Sequence, residues 1–221
     1  MTPPRQPDRY VAQGIEAEFE PGSRGRVLRN LAGVRSVREM TRLESEHLLI
    51  ATERLIDETT VEQRFHAEDV RHMHRLWLGD IYAWAGEYRQ VNMTKGSFMF
   101  AASNLIPRLM QAFEQGPLRE FTPCKYANAE DQAQALAVVH AELILIHPFR
   151  DGNGRCARLL AVLMGLQAGL PALDFGGVRG EEKRRYIAAV HAAMDRKYEQ
   201  MIAVFSRIIA RTQRVARTSR G

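Results

Sequence analysis

The feature that most constrains the fold is an apolar helical repeat at residues 128–146, which Pro148 stops. Its apolar residues recur at helical spacing, at Ala133, Leu136, Val139, Leu143 and Ile146. Asn128 is a favourable cap at its start, and a proline lacks the N–H that would continue it. A second helix, predicted at 153–168, stops at Gly169. The chain therefore contains two strong helices joined by a short link.

Weaker helical repeats surround this pair of helices. They cover residues 37–57, 65–81, 105–113, 181–194 and 198–209. The stretch 86–100 breaks the pattern and predicts two short strands around a turn. We expect a single all-α domain of about seven or eight helices with one small β-hairpin. This domain is predicted at 26–209, between an extended arm at 1–25 and a basic tail at 210–221.

The positive charge of the chain is concentrated at its end. The 221 residues carry a formal net charge of +5, and residues 207–221 hold five arginines and no acid. The remaining 26 basic residues are balanced by 26 acidic ones. Arg207, Arg211 and Arg214 continue one face of the last predicted helix, which is typical of a solvated helix end. We therefore do not expect nucleic acid as a partner.

Two cysteines, Cys124 and Cys156, exclude a disulfide framework and favour a reducing compartment. The first residues lack the apolar core of a secretion signal, and no apolar run is long enough to span a membrane. We expect a cytoplasmic protein, with delivery to another cell as an open alternative.

The link between the two strong helices combines residues suited to phosphate chemistry. Gly152, Asn153 and Gly154 tolerate the backbone conformations of an anion-binding nest, which opens into a helix N-terminus. Arg155 and Arg158 lie on one face of that helix, where each can reach a phosphate oxygen. Each feature alone is ordinary, because turns, helix ends and solvated faces commonly have these residues. Together they predict a site for a nucleotide phosphate.

Two further side chains complete the predicted site. Asp151 would repel phosphates unless a divalent metal bridged them, so it implies Mg²⁺. His147 is held by Pro148, which fixes the backbone, and by Phe149, which anchors the link in the core. We expect His147 to act as the general base when a hydroxyl attacks the phosphate. His72 and His74 do not face each other on a helix, so we reject a metal site there.

At these residues the chain resembles the Fic-domain proteins. Their signature, His-Pro-Phe-x-Asp/Glu-Gly-Asn-Gly-Arg-x-x-Arg, matches residues 147–158 at every specified position. The resemblance continues upstream in the segment that runs from Ile81 to Arg89 and covers about 26–209. It implies a mostly helical fold and transfer of AMP from ATP to a Ser, Thr or Tyr hydroxyl of a target protein.

The resemblance also implies a role for each residue of the motif. His147 is the base and Asp151 holds Mg²⁺. The backbone of residues 152–154 and the side chain of Asn153 bind the phosphates. Arg155 holds the β-phosphate and Arg158 the γ-phosphate. Gly154 stands where phosphorylating relatives have lysine, which favours nucleotidyl transfer over kinase activity.

The predicted hairpin resembles the family's flap, which pairs with an extended segment of the target. Its residues are Lys95, Gly96, Ser97, Phe98, Met99 and Phe100. The alternative is a small hairpin that only covers the core.

Many Fic proteins inhibit themselves through a helix with the motif Ser/Thr-x-x-x-Glu-Gly/Asn. No Ser or Thr in this chain has Glu four residues later. We therefore expect a bacterial, toxin-like enzyme that is active alone or is inhibited by a separate small antitoxin. Two alternatives remain open: transfer from another nucleotide or a phosphocholine donor, and a non-catalytic binding protein that uses its basic tail.

Overall fold

The structure is a computed structural model that describes residues 11–12, 16, 18–95 and 98–218. It is mostly helical, as predicted. The helices are α1 (Val37–Glu58), α2 (Ala67–Leu78), α3 (Ile106–Phe113), α4 (Arg119–Phe121), α5 (Ala129–Ile146), α6 (Asn153–Gln167), α7 (Gly180–Ala193) and α8 (Glu199–Thr218). A π-helical turn at Glu114–Leu118 joins α3 to α4.

Side chains fix where several helices begin. The side-chain oxygen of Asn128 accepts a hydrogen bond from the Asp131 N–H at 2.8 Å, as expected of the cap of α5. At α2 the Asp69 carboxylate accepts from the His66 N–H at 2.7 Å, so the helix begins at Ala67. Helix α2 is therefore shorter than the predicted 65–81 segment.

A small antiparallel sheet contains the predicted hairpin and one additional strand. Its order is β1 (Val11–Ala12), β2 (Met93–Lys95) and β3 (Phe98–Met99). Val11 pairs with Thr94, and Thr94 pairs with Met99 on the other side. The segment predicted as an extended arm thus supplies a strand to the outer side of the hairpin. Gly96 and Ser97 lie outside the described residues.

Helix α5 forms the centre of the main core and packs against α6, α7 and α8. Helix α2 contributes to this core through Val70 and Met73. Its C-terminal residues Trp77 and Leu78 belong to a second cluster beside α1. The link between α5 and α6 therefore lies next to a helix that is anchored in both clusters.

Helix α8 continues past the predicted end at Ile209. Its buried Thr212 hydroxyl accepts a hydrogen bond from the Asp174 N–H at 2.9 Å. Arg211 forms an ion pair with Asp174 at 2.6 Å, and Arg207 pairs with Glu182 at 3.0 Å. Two of the clustered arginines are thus bound to acids of the same chain.

Both cysteine thiols are free and buried. Of the helices in the described ranges, none combines the length and the apolar character needed to cross a membrane.

Candidate active site

A cavity of about 770 Å³ lies over the link between α5 and α6, bounded by the β-hairpin and α7. It is lined by most of the residues that the sequence singled out, namely Lys95, Phe98, Phe100, His147, Asp151, Gly152, Gly154, Arg155 and Arg158. Met99 is 73% exposed and does not line the cavity. Helix α7 adds residues that the sequence analysis did not predict: Lys183, Tyr186, Ile187, Val190 and His191.

His147 ends α5 in the left-handed conformation, with φ 52° and ψ 59°. Its ring Nδ1 lies 3.1 Å from the Ile144 carbonyl oxygen. Because a carbonyl only accepts hydrogen bonds, Nδ1 carries the ring proton and Nε2 keeps its lone pair. The ring therefore offers Nε2 as a proton acceptor, a buried atom of a residue that lines the cavity.

Burial, with a smaller contribution from the nearby Arg89 guanidinium, lowers the pKa of His147 to about 3. The side chain is only 3% exposed, and its ring stacks on Phe100 with centroids 3.7 Å apart. A ring with this pKa is neutral at pH 7. His147 is thus in the form that accepts a proton.

Arg89 holds the backbone of His147, a contact that the sequence did not predict. Its guanidinium donates to the carbonyls of His147 (2.8 Å), Val91 (2.6 Å) and Ala101 (2.6 Å). Val91 precedes the hairpin and Ala101 follows it. Arg89 therefore links both ends of the hairpin to the end of α5. Burial lowers the pKa of Arg89 to about 10, which leaves it charged at pH 7.

The turn before α6 requires a glycine at position 152. Gly152 has φ 81°, and a Cβ there would lie 2.7 Å from a ring carbon of Trp77. Arg155 and Cys156 donate the first amide bonds of the helix to the Gly152 carbonyl. The amides of Asn153 and Gly154 precede these bonds, at the helix end that favours an anion.

The side chain of Asn153 differs from the expectation that it binds phosphate. Its Oδ1 accepts from the Phe149 N–H and its Nδ2 donates to the Phe149 carbonyl, both at 2.8 Å. The side chain is only 2% exposed and does not line the cavity. Because both polar atoms are bonded to the backbone, Asn153 closes the link around the fully buried Phe149.

Arg155 reaches the cavity but is also paired with a glutamate of α1. Its Nη1 lies 2.7 Å from a carboxylate oxygen of Glu44, and its guanidinium stacks over Trp77 at 4.4 Å. The second oxygen of Glu44 accepts from the Tyr82 hydroxyl at 2.8 Å. Arg155 Nε is buried without a hydrogen-bond partner in the described ranges.

Replacing Glu44 by alanine should lower the free energy of unfolding by about 3 kcal/mol, because a half-buried Arg155 loses its counter-ion. Glu58→Ala on the same helix is the matched control, since Glu58 pairs with Arg54 at the exposed surface. The control should lose much less stability, because an exposed ion pair contributes little. Urea denaturation of both variants measures the difference, and equal losses would contradict a buried role for Glu44.

Asp151 is the residue that would hold a metal ion. One of its carboxylate oxygens accepts from the Gly152 N–H at 2.6 Å, which sets its orientation beside the cavity. In the described part of the chain no group of three or more His, Cys, Asp or Glu residues could hold a metal. A single carboxylate fits Mg²⁺, which takes its other ligands from phosphates and water.

Known proteins match this chain in both sequence and fold. Residues 64–164 match the model of the Fic/DOC family. Protein adenylyltransferase VbhT of Bartonella schoenbuchensis is 29% identical over 159 residues, which are 72% of this chain and 33% of VbhT. Protein adenylyltransferase fic-1 of Caenorhabditis briggsae is 30% identical over 127 residues, which are 57% of this chain and 24% of fic-1. The chain thus spans about a third or less of these relatives.

The fold also resembles that of a solved structure. The VirB-translocated effector BepC of Bartonella tribocorum, crystallised with bound AMPPNP, superposes with a TM-score of 0.66 at 22% identity. The match covers 82% of this chain and 91% of BepC. Together with the family match, it confirms the resemblance carried by residues 147–158. Residues 64–164 of this chain, a little under half of it, therefore resemble the Fic/DOC family in both sequence and fold.

Proposed function

We propose that this chain is a protein adenylyltransferase, which transfers AMP from ATP to a Ser, Thr or Tyr hydroxyl of another protein. The observation that carries this proposal is His147, which lines a cavity beside the start of α6 and whose Nε2 carries no proton because Nδ1 donates to Ile144. Two curated relatives are named protein adenylyltransferases, which supports the same reaction.

In the proposed reaction the hydroxyl oxygen of the target attacks the α-phosphorus of ATP. Nε2 of His147 accepts the hydroxyl proton, an O–P bond forms, and the bond from the α-phosphorus to the bridging oxygen breaks. Pyrophosphate leaves with the electron pair of that bond. The amides at the start of α6, with Arg155 and Arg158, stabilise the charge on the phosphates.

Mg²⁺ bound by Asp151 and the phosphates would neutralise part of that charge. The phosphate-binding role of Asn153 is confined here to its backbone amide, because its side chain is bonded to Phe149.

The β-hairpin is the proposed docking site for the target. Strand β3 lies at one edge of the sheet, next to β2 and opposite β1. An extended target segment that pairs with this edge would bring its hydroxyl beside His147. Lys95, Phe98 and Phe100 line the cavity below that edge.

We infer a bacterial, toxin-like enzyme of the cytoplasm that a separate small antitoxin regulates. The free, buried cysteines agree with a reducing compartment. The chain lacks the internal motif Ser/Thr-x-x-x-Glu. Glu44, on α1, is paired with the motif residue Arg155.

Incubating the purified chain with a bacterial lysate and ATP labelled at the α- or the γ-phosphate tests the proposal. We expect protein-bound label only from the α position, and an added mass equal to AMP on the modified protein. Label only from the γ position would indicate a kinase instead. No transfer from any nucleotide or phosphocholine donor, together with salt-sensitive binding of nucleic acid, would favour the binding protein.

A further inference from the structure

His74 of α2 is a fully buried histidine that contacts the link from outside the cavity. Its Nδ1 accepts a hydrogen bond from the Gly86 N–H at 2.9 Å. Its Nε2 lies 3.0 Å from the carbonyl oxygen of Asp151. The ring thus joins the backbone at Gly86 to the backbone at Asp151, the predicted metal-binding residue.

The two contacts determine which nitrogen of His74 carries the proton. An amide nitrogen only donates, so Nδ1 must accept with its lone pair. The proton of the neutral ring is then on Nε2, which donates to the Asp151 carbonyl. Both polar atoms of His74 are therefore used to hold backbone.

The ring also restricts the backbone on either side of Asp151. It stacks on Phe149 with centroids 3.8 Å apart and planes inclined by 14°. Nε2 lies 3.3 Å from the point that a Cβ on Gly152 would occupy, and Trp77 lies still closer to that point. His74 therefore fixes the peptide between Asp151 and Gly152, which determines where the Asp151 carboxylate and the Gly152 amide point.

We propose that His74 is a positioning residue, which sets the Asp151 carboxylate and the neighbouring amides for Mg²⁺ and the ATP phosphates. It touches neither the nucleotide nor the target and acts only through the backbone of the link. This inference rests on the proposed function, since it assigns a task within the same site. The competing interpretation is a histidine that only fills the core.

Three substitutions separate these interpretations. His74→Phe keeps a flat ring against Phe149 but removes both hydrogen bonds. His74→Gln keeps a donor near the position of Nε2, whereas His74→Asn keeps an acceptor near the position of Nδ1. Gln167→Leu is the control for a purely structural loss. Gln167 is a buried polar residue that bonds the backbone at Thr60, Gln63 and Cys124, at the opposite end of α6.

We expect His74→Phe to lower kcat for AMP transfer about 10- to 100-fold, the usual cost of losing the partner that orients a metal ligand. Its affinity for ATP, measured by calorimetry, should fall about tenfold in Mg²⁺ and by less in EDTA, where only the amides contribute. His74→Gln should keep most of the wild-type kcat and most of the affinity for ATP in Mg²⁺. His74→Asn should lose both, as His74→Phe does. Gln167→Leu should lose thermal stability while keeping kcat and the Mg²⁺-dependent gain in affinity.

The inference is overturned if His74→Phe loses stability as Gln167→Leu does but keeps its kcat and Mg²⁺-dependent affinity. If His74→Phe does not fold, the two remaining variants decide the inference. Equal kcat and equal Mg²⁺-dependent affinity for ATP in His74→Gln and His74→Asn overturn it. If the unsubstituted protein transfers no AMP, the proposed function fails, and the calorimetry still decides the inference. A Mg²⁺-dependent loss of affinity then supports the role of His74, and unchanged affinity rejects it.

Discussion

Replacing His147 by alanine is expected to lower kcat for AMP transfer about 10²- to 10⁴-fold, the usual contribution of a general base. The proposed proton acceptor is Nε2 of this ring, which carries no proton because Nδ1 donates to the Ile144 carbonyl. Alanine removes that acceptor but leaves the start of α6 and both arginines in place. Transfer of label from ATP at saturating nucleotide measures the loss.

Calorimetric binding of ATP should change little in His147→Ala, because in the proposed complex the phosphates would contact α6 and not the imidazole. His72→Ala is the control for replacing a histidine, since His72 lies at the surface near Glu58. It should keep full activity. If His147→Ala retained wild-type kcat, another group would have to accept the proton.

Replacing Arg89 by methionine is expected to lower the free energy of unfolding by about 4 kcal/mol, because three buried carbonyls lose a charged donor at once. The acceptors are those of His147, Val91 and Ala101, so the hairpin also loses its tie to the end of α5. Transfer activity should fall as well, since both the docking strand and the base are displaced. Urea denaturation and label transfer on the same preparation measure the two effects.

Arg64→Met is the matched control for Arg89→Met. Arg64 is exposed and donates to a single carbonyl, that of Arg119, at 2.8 Å. Its loss should cost less than about 1 kcal/mol. Arg89→Lys should lie between the two variants, because an ammonium lacks the planar fork that reaches three acceptors. If Arg89→Met were as stable as Arg64→Met, the bonds of Arg89 would carry no net stability.

The sequence was sufficient for the elements that depend on local chemistry. Asn128 caps α5 as predicted, and the apolar repeats place α1, α5 and α6 to within a residue or two. The hairpin at 93–99 also lies where the pattern broke. These features could be read from the sequence because caps, periodicity and turn residues act over a few positions.

The partners of the site residues could not be predicted in the same way. Glu44 is 111 positions from Arg155, His74 is 77 positions from Asp151, and Arg89 is 58 positions from His147. In the sequence each of these side chains has the pattern of an ordinary polar residue. The only sequence signal was the motif match upstream of residue 90, which named Arg89 without its contacts. Strand β1 was missed because two residues of pairing leave no alternation to detect.

By itself the sequence determined the helical class and the chemistry of the link, because a capped apolar helix, a proline stop and a glycine turn depend on neighbouring residues. Tertiary structure alone decided which groups of the link face the cavity and which are used internally. It turned the Asn153 side chain toward Phe149 and paired Arg155 with Glu44. The physical reason is that buried polar atoms must find partners. Asn153 finds them four residues away because Phe149 is buried in the core, and Arg155 finds Glu44 on a helix that meets α6 only after the chain has folded.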